Sequence, residues 1–343
     1  MSMRPLAADA SRPRGEGSHP RFDDLPDGAS WSHFGAGDQL GTINFLTPER
    51  VAAAAGLIRS GRRFGLDYAV DAFEPYPTGT RRSIEHHVFA NNEFHRDDWV
   101  DSFYLQSSSQ LDALRHIGQP GRGFYGGLAP ADNVEGSTQL GVHAYAEAGI
   151  AGRGVLLDLP RYFEREGLEF DGAPYSTERT IPVDAAMLDR IAASQGVEFR
   201  GGELLLLRTA WAERYLAKSL PERAATPWRL SPGLAQKRDV LRWLWDHEIA
   251  VVAADNLAVE ADPVLDSDFR SPDDVPPERG VDHAGMLHRP LIALLGMAVG
   301  ELWRLDELGA DCAADGVWEF FLTVKPLNLP GGVGSPPNAL AIK

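Results

Sequence analysis

Glu203-Leu-Leu-Leu-Leu-Arg208 is the stretch that decides the fold. Four consecutive leucines between a carboxylate and a guanidinium leave no polar face. The segment therefore reads as a strand buried on both sides, not one half exposed to water. Working outward, Gly154-Val-Leu-Leu-Asp158 upstream and Ile249-Ala-Val-Val-Ala-Ala254 downstream share the pattern. Helix-period stretches lie between them, at residues 183–194 and 235–247, the second with Leu241, Leu244 and Trp245 on one stripe. Buried strands separated by helices predict an α/β fold, a mixed sheet with packed helices. Nearer the N-terminus, Thr47-Pro48-Glu49-Arg50 reads as a helix start. Thr47 is the cap, Pro48 takes the first helical position, and an Ala-rich run follows to about Ser60. Residues 1–20 are small, polar and punctuated by Pro and Gly, and predict a flexible tail. No repeat or linker-like change in composition interrupts residues 21–343, which read as a single domain.

The chain has 343 residues, 43% of them hydrophobic, enough to bury a substantial core. Its 33 basic and 49 acidic residues leave a net charge of −16, a field that repels polyanions. Nucleic acid and anionic membrane are thus excluded as main partners, and a small-molecule substrate is favoured. Cys312 is the one cysteine, so there is no internal disulfide framework and no thiolate zinc cluster. No stretch approaches the ~18 apolar residues of a membrane helix, and the N-terminus has no apolar core of a signal peptide. The expectation is a cytoplasmic protein. Residues 260–282 stand apart: eight carboxylates face only Arg270 and Arg279, and four prolines forbid a long helix. This acidic, Pro-rich loop reads either as solvated surface or as a lid or subunit contact.

Chemistry concentrates in Gln106-Ser-Ser-Ser-Gln110-Leu-Asp112-Ala-Leu-Arg-His116. Gln110 and Asp112 share a face if the stretch is extended, and Asp112 and His116 share one in a helical turn. A strand-to-helix transition at Asp112 would gather all three. Spacing alone reads equally as a capping aspartate and an ordinary histidine. His288 and Glu301, far along the chain, flank an apolar segment. With Asp112 and His116 in space they suit a divalent cation; singly, they read as a core histidine and a helix-start charge. Ser107–Ser109 neighbour His116 without a Gly-x-Ser-x-Gly elbow, and no Walker A or dinucleotide fingerprint is present. Among other aromatic and imidazole groups, Trp211, Trp303 and His87 are candidates for substrate contact.

The segment 106–116 resembles the metal-binding signature of the cyclase family, which includes bacterial kynurenine formamidase and isatin hydrolase: His-x-Gly-Thr-His-x-Asp-x-Pro-x-His. The two leading histidines fall on Gln106 and Gln110, the aspartate on Asp112, the proline on Leu114 and the last histidine on His116. Other pieces follow in family order: Gly154 to Asp158, Gly202 to Trp211, Ala253 to Glu260, His288, Gly300 to Leu308, and the closing stretches 321–326 and 334–336. Leu40 to Glu49 is similar to a longer subgroup. The resemblance implies the family's swivelling β/β/α domain and a metal-dependent hydrolase of an amide, lactam or lactone bond, arylformamidase-like, with His116 as general acid/base. The alternatives are a metal-free binding protein on the same fold and a biosynthetic cyclase or lyase. By the same resemblance, Asp112, His288 and Glu301 carry one metal position intact. The neighbouring position keeps Asp112 with Gln106 and Gln110, whose carbonyl oxygens replace imidazole nitrogens. One divalent metal per chain, manganese or zinc, is therefore expected. Imidazoles restored at 106 and 110 would raise the count towards two. Family members commonly form homo-oligomers, so a homodimer or larger assembly is also expected.

Overall fold

The computed structural model describes residues 19–226, 229–271 and 274–343. Its strands are β1 (Arg63–Gly65), β2 (Glu85–Asn92), β3 (His95–Asp101), β4 (Gln110–Asp112), β5 (Ile150–Asp158), β6 (Pro182–Val183), β7 (Leu204–Arg208), β8 (Gly233–Leu234), β9 (Val251–Ala254), β10 (Ala298–Glu301), β11 (Glu319–Val324), β12 (Gly334–Ser335) and β13 (Leu340–Ile342). Its α-helices are α1 (Pro48–Ala55), α2 (Val142–Ala148), α3 (Leu159–Glu166), α4 (Ala185–Gln195), α5 (Trp211–Leu216), α6 (Leu220–Ala225), α7 (Arg238–Asp246) and α8 (Asp306–Asp315).

Among the described residues, nine strands form one sheet in the order β1-β13-β11-β5-β7-β9-β10-β4-β12. The centre is parallel: β5, β7, β9 and β10 run the same way. Both flanks are antiparallel, through β11 on one side and β4 on the other. The three apolar runs of the sequence are the adjacent central strands β5, β7 and β9, and Leu204 to Leu207 are fully buried. At about 1.5–3 kcal/mol for each buried leucine, such runs hold the centre of the sheet in place. Helices cover it, with α1 against β5 and β11, α3 against β7 and α4 against β5.

Helix starts follow the capping chemistry of the sequence. The side chains of Thr47 and Asp184 accept N–H groups of Arg50 and Met187, and Gly196 closes α4 in the left-handed conformation. Two helices start later than their periodicity indicates. Val183 pairs instead in β6 with β8, and residues 235–237 lead from β8 into α7. The hydrogen bond from Ala235 N–H to the Val183 carbonyl locks that arrangement.

The flexible-tail expectation for residues 1–18 lies outside the described residues. His19 and Pro20, at its end, are packed: the His19 ring lies 4.4 Å from the Trp245 ring, and the Pro20 carbonyl accepts the Trp245 indole N–H at 2.8 Å. Residues 260–282 also divide. Glu260 and Ala261 are buried, and Leu265 and Val275 are exposed; the part at 272–273 lies outside the described residues. No helix among the described residues is long and apolar enough to cross a membrane.

Candidate functional site

Strands β4 and β10 build the site. Their antiparallel register sets Glu301 opposite Gln110 and Val299 opposite Asp112. Alternation along β4 directs Gln110 and Asp112 to the same face. After Asp112 the chain does not enter a helix; it turns, with His116 N–H bonded to the Ala113 carbonyl at 2.9 Å. That turn brings His116 Nε2 to 3.8 Å from Asp112 Oδ2. Gln106 reaches back from the preceding loop, and its amide nitrogen donates to Asp112 Oδ1 at 2.5 Å. β10 ends abruptly because Leu302 adopts a positive φ of 55°, a costly conformation for a leucine, immediately after Glu301.

His288 enters from a different part of the chain, at the head of the π-helical turn Arg289–Leu294. Glu260 fixes it. One carboxylate oxygen of Glu260 accepts the His288 backbone N–H at 3.0 Å and faces Nδ1 at 2.7 Å. The other accepts Leu287 N–H at 2.7 Å and the Gln236 amide at 2.9 Å. With Nδ1 so engaged, Nε2 points to Glu301 Oε1, 2.8 Å away. A carboxylate behind the far ring nitrogen is the usual orienting partner of a metal-binding histidine.

Ligand atoms of Asp112, His288 and Glu301 lie within 4.8 Å of one another, and all three residues are buried. Burial pushes the Asp112 carboxyl up to about 6, against the opposing influence of His288, Gln106 and Arg81. Glu301 is likewise raised by burial, with the His288 hydrogen bond opposing and the Asp112 charge adding. For His288, burial alone lowers basicity, but hydrogen bonds and charges of Glu260 and Glu301 overturn that and hold it well above the ordinary value. His116 goes the other way: burial, then the positive charge of His288, lowers it to about 4. It is a free base at neutral pH, with 22% of its side chain exposed.

These residues fit a divalent cation. Three carboxylates, Asp112, Glu260 and Glu301, are buried together, and Asp112 Oδ2 has no hydrogen-bond partner. A buried carboxylate oxygen without a donor is expensive, and a cation between it, His288 Nε2 and Glu301 removes that cost. The two glutamines play a different part from the one their residue types implied. Gln106 and Gln110 both present amide N–H to the carboxylates, Gln110 to Glu301.

The Cyclase family model matches residues 68–261. A crystal structure of a novel cyclase is 31% identical over 92% of this chain and 99% of its own, with a TM-score of 0.75. The chain belongs to the cyclase family. Two more distant structures share the fold of this cyclase-family protein at 16% identity. Isatin hydrolase A from Labrenzia aggregata has a TM-score of 0.53 over 84% of this chain and 94% of its own. Isatin hydrolase A from Ralstonia solanacearum has one of 0.54 over 87% and 99%. No curated protein matches the sequence.

Three expected substrate-contact residues of this cyclase-family chain fall elsewhere. Trp303 is fully buried and gives its indole N–H to the Gln110 carbonyl at 2.8 Å, bracing β4. Gly300 makes room for it, since a Cβ there would sit 2.7 Å from the indole nitrogen. Trp211 is buried against Tyr215, rings stacked 4.9 Å apart, in a cluster with Phe73, Tyr76 and Leu302. His87 lies on the exposed β2–β3 hairpin, stacked on Trp99 and grouped with Glu85 and Asp101 instead of Asp112.

Sequence reasoning missed two members. Glu260 was read as the end of the family-like piece Ala253 to Glu260 and as the first acid of the loop, not as part of the site. Its signal was its place in the turn after a buried parallel strand, where α/β sites collect. Arg81 carried no local signal. Its Nη1 donates to Gln110 Oε1 at 3.3 Å, and its guanidinium lies 4.4 Å from the Tyr76 ring centroid.

Proposed function

We propose that this cyclase-family protein hydrolyses an amide, lactam or lactone bond with one divalent cation, manganese or zinc, held by Asp112, His288 and Glu301. The observation that carries this is the buried triad with Asp112 Oδ2 left without a donor, beside a neutral imidazole. A divalent cation in that position supplies Lewis acidity, polarising a carbonyl and lowering the pKa of water towards ~7. Histidine nitrogen in the set favours manganese or zinc over magnesium.

His116 does the proton work. As a free base it takes a proton from the attacking water while the water oxygen bonds to the carbonyl carbon. When the bond from that carbon to nitrogen or oxygen breaks, the same imidazolium returns the proton to the leaving atom. The products are a carboxylic acid and an amine or alcohol, joined in one molecule if the substrate was cyclic. Asp112, 3.8 Å from Nε2, stabilises the transient positive charge. The name isatin hydrolase, carried by structures that share the fold, places lactams among the first compounds to try.

A second reading, a metal-free binding protein, is favoured by the amide N–H groups of Gln106 and Gln110 that already face Asp112 and Glu301. Metal analysis of the purified protein, with a screen of formyl-anilines, isatin-like lactams and lactones under added manganese or zinc, separates the two. Turnover with bound ion is expected; no ion and no turnover leaves the binding protein. A homodimer or larger assembly belongs to the proposal, because the β2–β3 hairpin exposes Val88, Phe89, Phe94, Trp99 and Val100. Sedimentation at the 37.4 kDa of one chain would count against it.

A further inference from the structure

We infer that Arg81 is a resident cation of this site: braced on Tyr76 and bonded to the carbonyl oxygen of Gln110, it removes that glutamine from the ligand set and limits the site to one divalent ion. The inference rests on the metal-bound reading proposed above and says why the second metal position is closed.

The first argument is the place of the charge. A glutamine side chain can ligate a cation only through its carbonyl oxygen, because its NH₂ group is a donor without an available lone pair. In Gln110 that oxygen already faces the Arg81 guanidinium at 3.3 Å, so a cation on it would stand against a fixed positive charge, and the NH₂ is committed to Glu301. The second is rigidity. Arg81 stacks on a tyrosine that is itself buried, in a cluster with Phe73, Trp211, Tyr215 and Leu302. A guanidinium on an aromatic face loses little freedom by being held there.

The third argument is charge. Asp112, Glu260 and Glu301 contribute three buried negative charges. One divalent ion and one guanidinium balance them when His288 is a neutral ligand; a second divalent ion in place of the arginine would leave an excess of positive charge in a low-dielectric site. Imidazoles at 106 and 110 by themselves are therefore insufficient to restore a second ion, contrary to what residue types alone implied.

The test counts ions. Wild type, Gln106→His/Gln110→His, and that double variant with Arg81→Ala are dialysed against manganese or zinc, and bound metal per chain is measured by elemental analysis. One ion is expected in the wild type and in the double variant, and two in the triple. Equal counts in the double and triple variants overturn the role of Arg81. A wild type without metal overturns the proposed function instead, since the difference between triple and double still reads Arg81 alone. Arg81→Met, which keeps an apolar stem on Tyr76, replaces Arg81→Ala if circular dichroism shows that the alanine variant has not folded.

Discussion

Among the described residues, two places gather one histidine and two carboxylates with ligand atoms within 4.8 Å: Asp112, His288 and Glu301 in the main sheet, and Glu85, His87 and Asp101 on the β2–β3 hairpin. Their composition is nearly the same. Their surroundings are not. On the hairpin, His87 Nε2 stands 3.2 Å from Asp101 and 3.8 Å from Glu85, and both carboxylates are open to water. Such pairs are worth about 0–1 kcal/mol, and water solvates the two carboxylates. In the sheet the carboxylates are buried. Glu260 is held by two backbone N–H groups and the Gln236 amide, and it fixes His288 in turn. The strand register holds Glu301 against Gln110. The lesson is that a ligand-like set becomes a site when burial makes each charge answerable to a fixed partner.

The largest expected effect separates the two places by chemistry. His116→Ala is expected to lower kcat by about 10²–10⁴-fold with folding preserved, and His87→Ala to leave kcat unchanged. Steady-state rates for both variants decide it; comparable losses would erase the distinction.

Next comes the supporting carboxylate. Glu260→Gln removes the charge behind His288 and is expected to weaken metal binding about 10–100-fold. Glu85→Gln on the hairpin is expected to leave it unaltered. Competition with a metal indicator measures both.

A smaller effect is the pH dependence of metal-induced stabilisation. The Asp112 carboxyl sits at about 6 in the fold against an ordinary 3.8, because burial disfavours its ionised form. Without metal, that group costs stability as pH rises from 3.8 towards 6, and the cost is constant above. A bound cation removes it, while protons compete with the cation below 6. The rise in Tm on adding manganese or zinc should therefore grow from pH 5 to pH 7 and go on growing above it, because His288, held well above its ordinary value, must also lose a proton to bind. A rise that is larger at pH 5 would contradict this. His116, depressed to about 4, stays a free base across that window, so acid loss of activity should track metal release.

The smallest expected effect is on the hairpin itself. Asp101→Asn should change stability by less than about 0.5 kcal/mol, as surface substitutions do, and leave the metal count as it was. Denaturant unfolding and elemental analysis together would show whether the exposed set has a hidden role.

The legible part of this protein is local. Leu204 to Leu207 announce a strand buried on both faces, and Thr47 and Pro48 announce a helix start, because hydrophobic period and cap chemistry act within a few residues. Asp112, His116, His288 and Glu301 were also legible as chemistry, through residue types in the order of a family pattern. The full burial of Trp303 was not legible, because a tryptophan's burial depends on what packs over it, here the space that Gly300 leaves beside β4.

What the sequence determined by itself is the α/β class, the central strands and the residue types of the candidate site; all follow from side-chain chemistry and short-range periodicity. Only the tertiary structure decided which groups meet. Gln110 and Glu301 are 191 residues apart and His288 and Glu260 are 28 apart, and nothing in either neighbourhood specifies the other. Arg81 joins the site for the same reason: its partners, Tyr76 and Gln110, are set by how the loop before β2 packs against β4. Burial of three carboxylates in one place is a property of the packed structure, and it is that burial which makes the place suited to a cation.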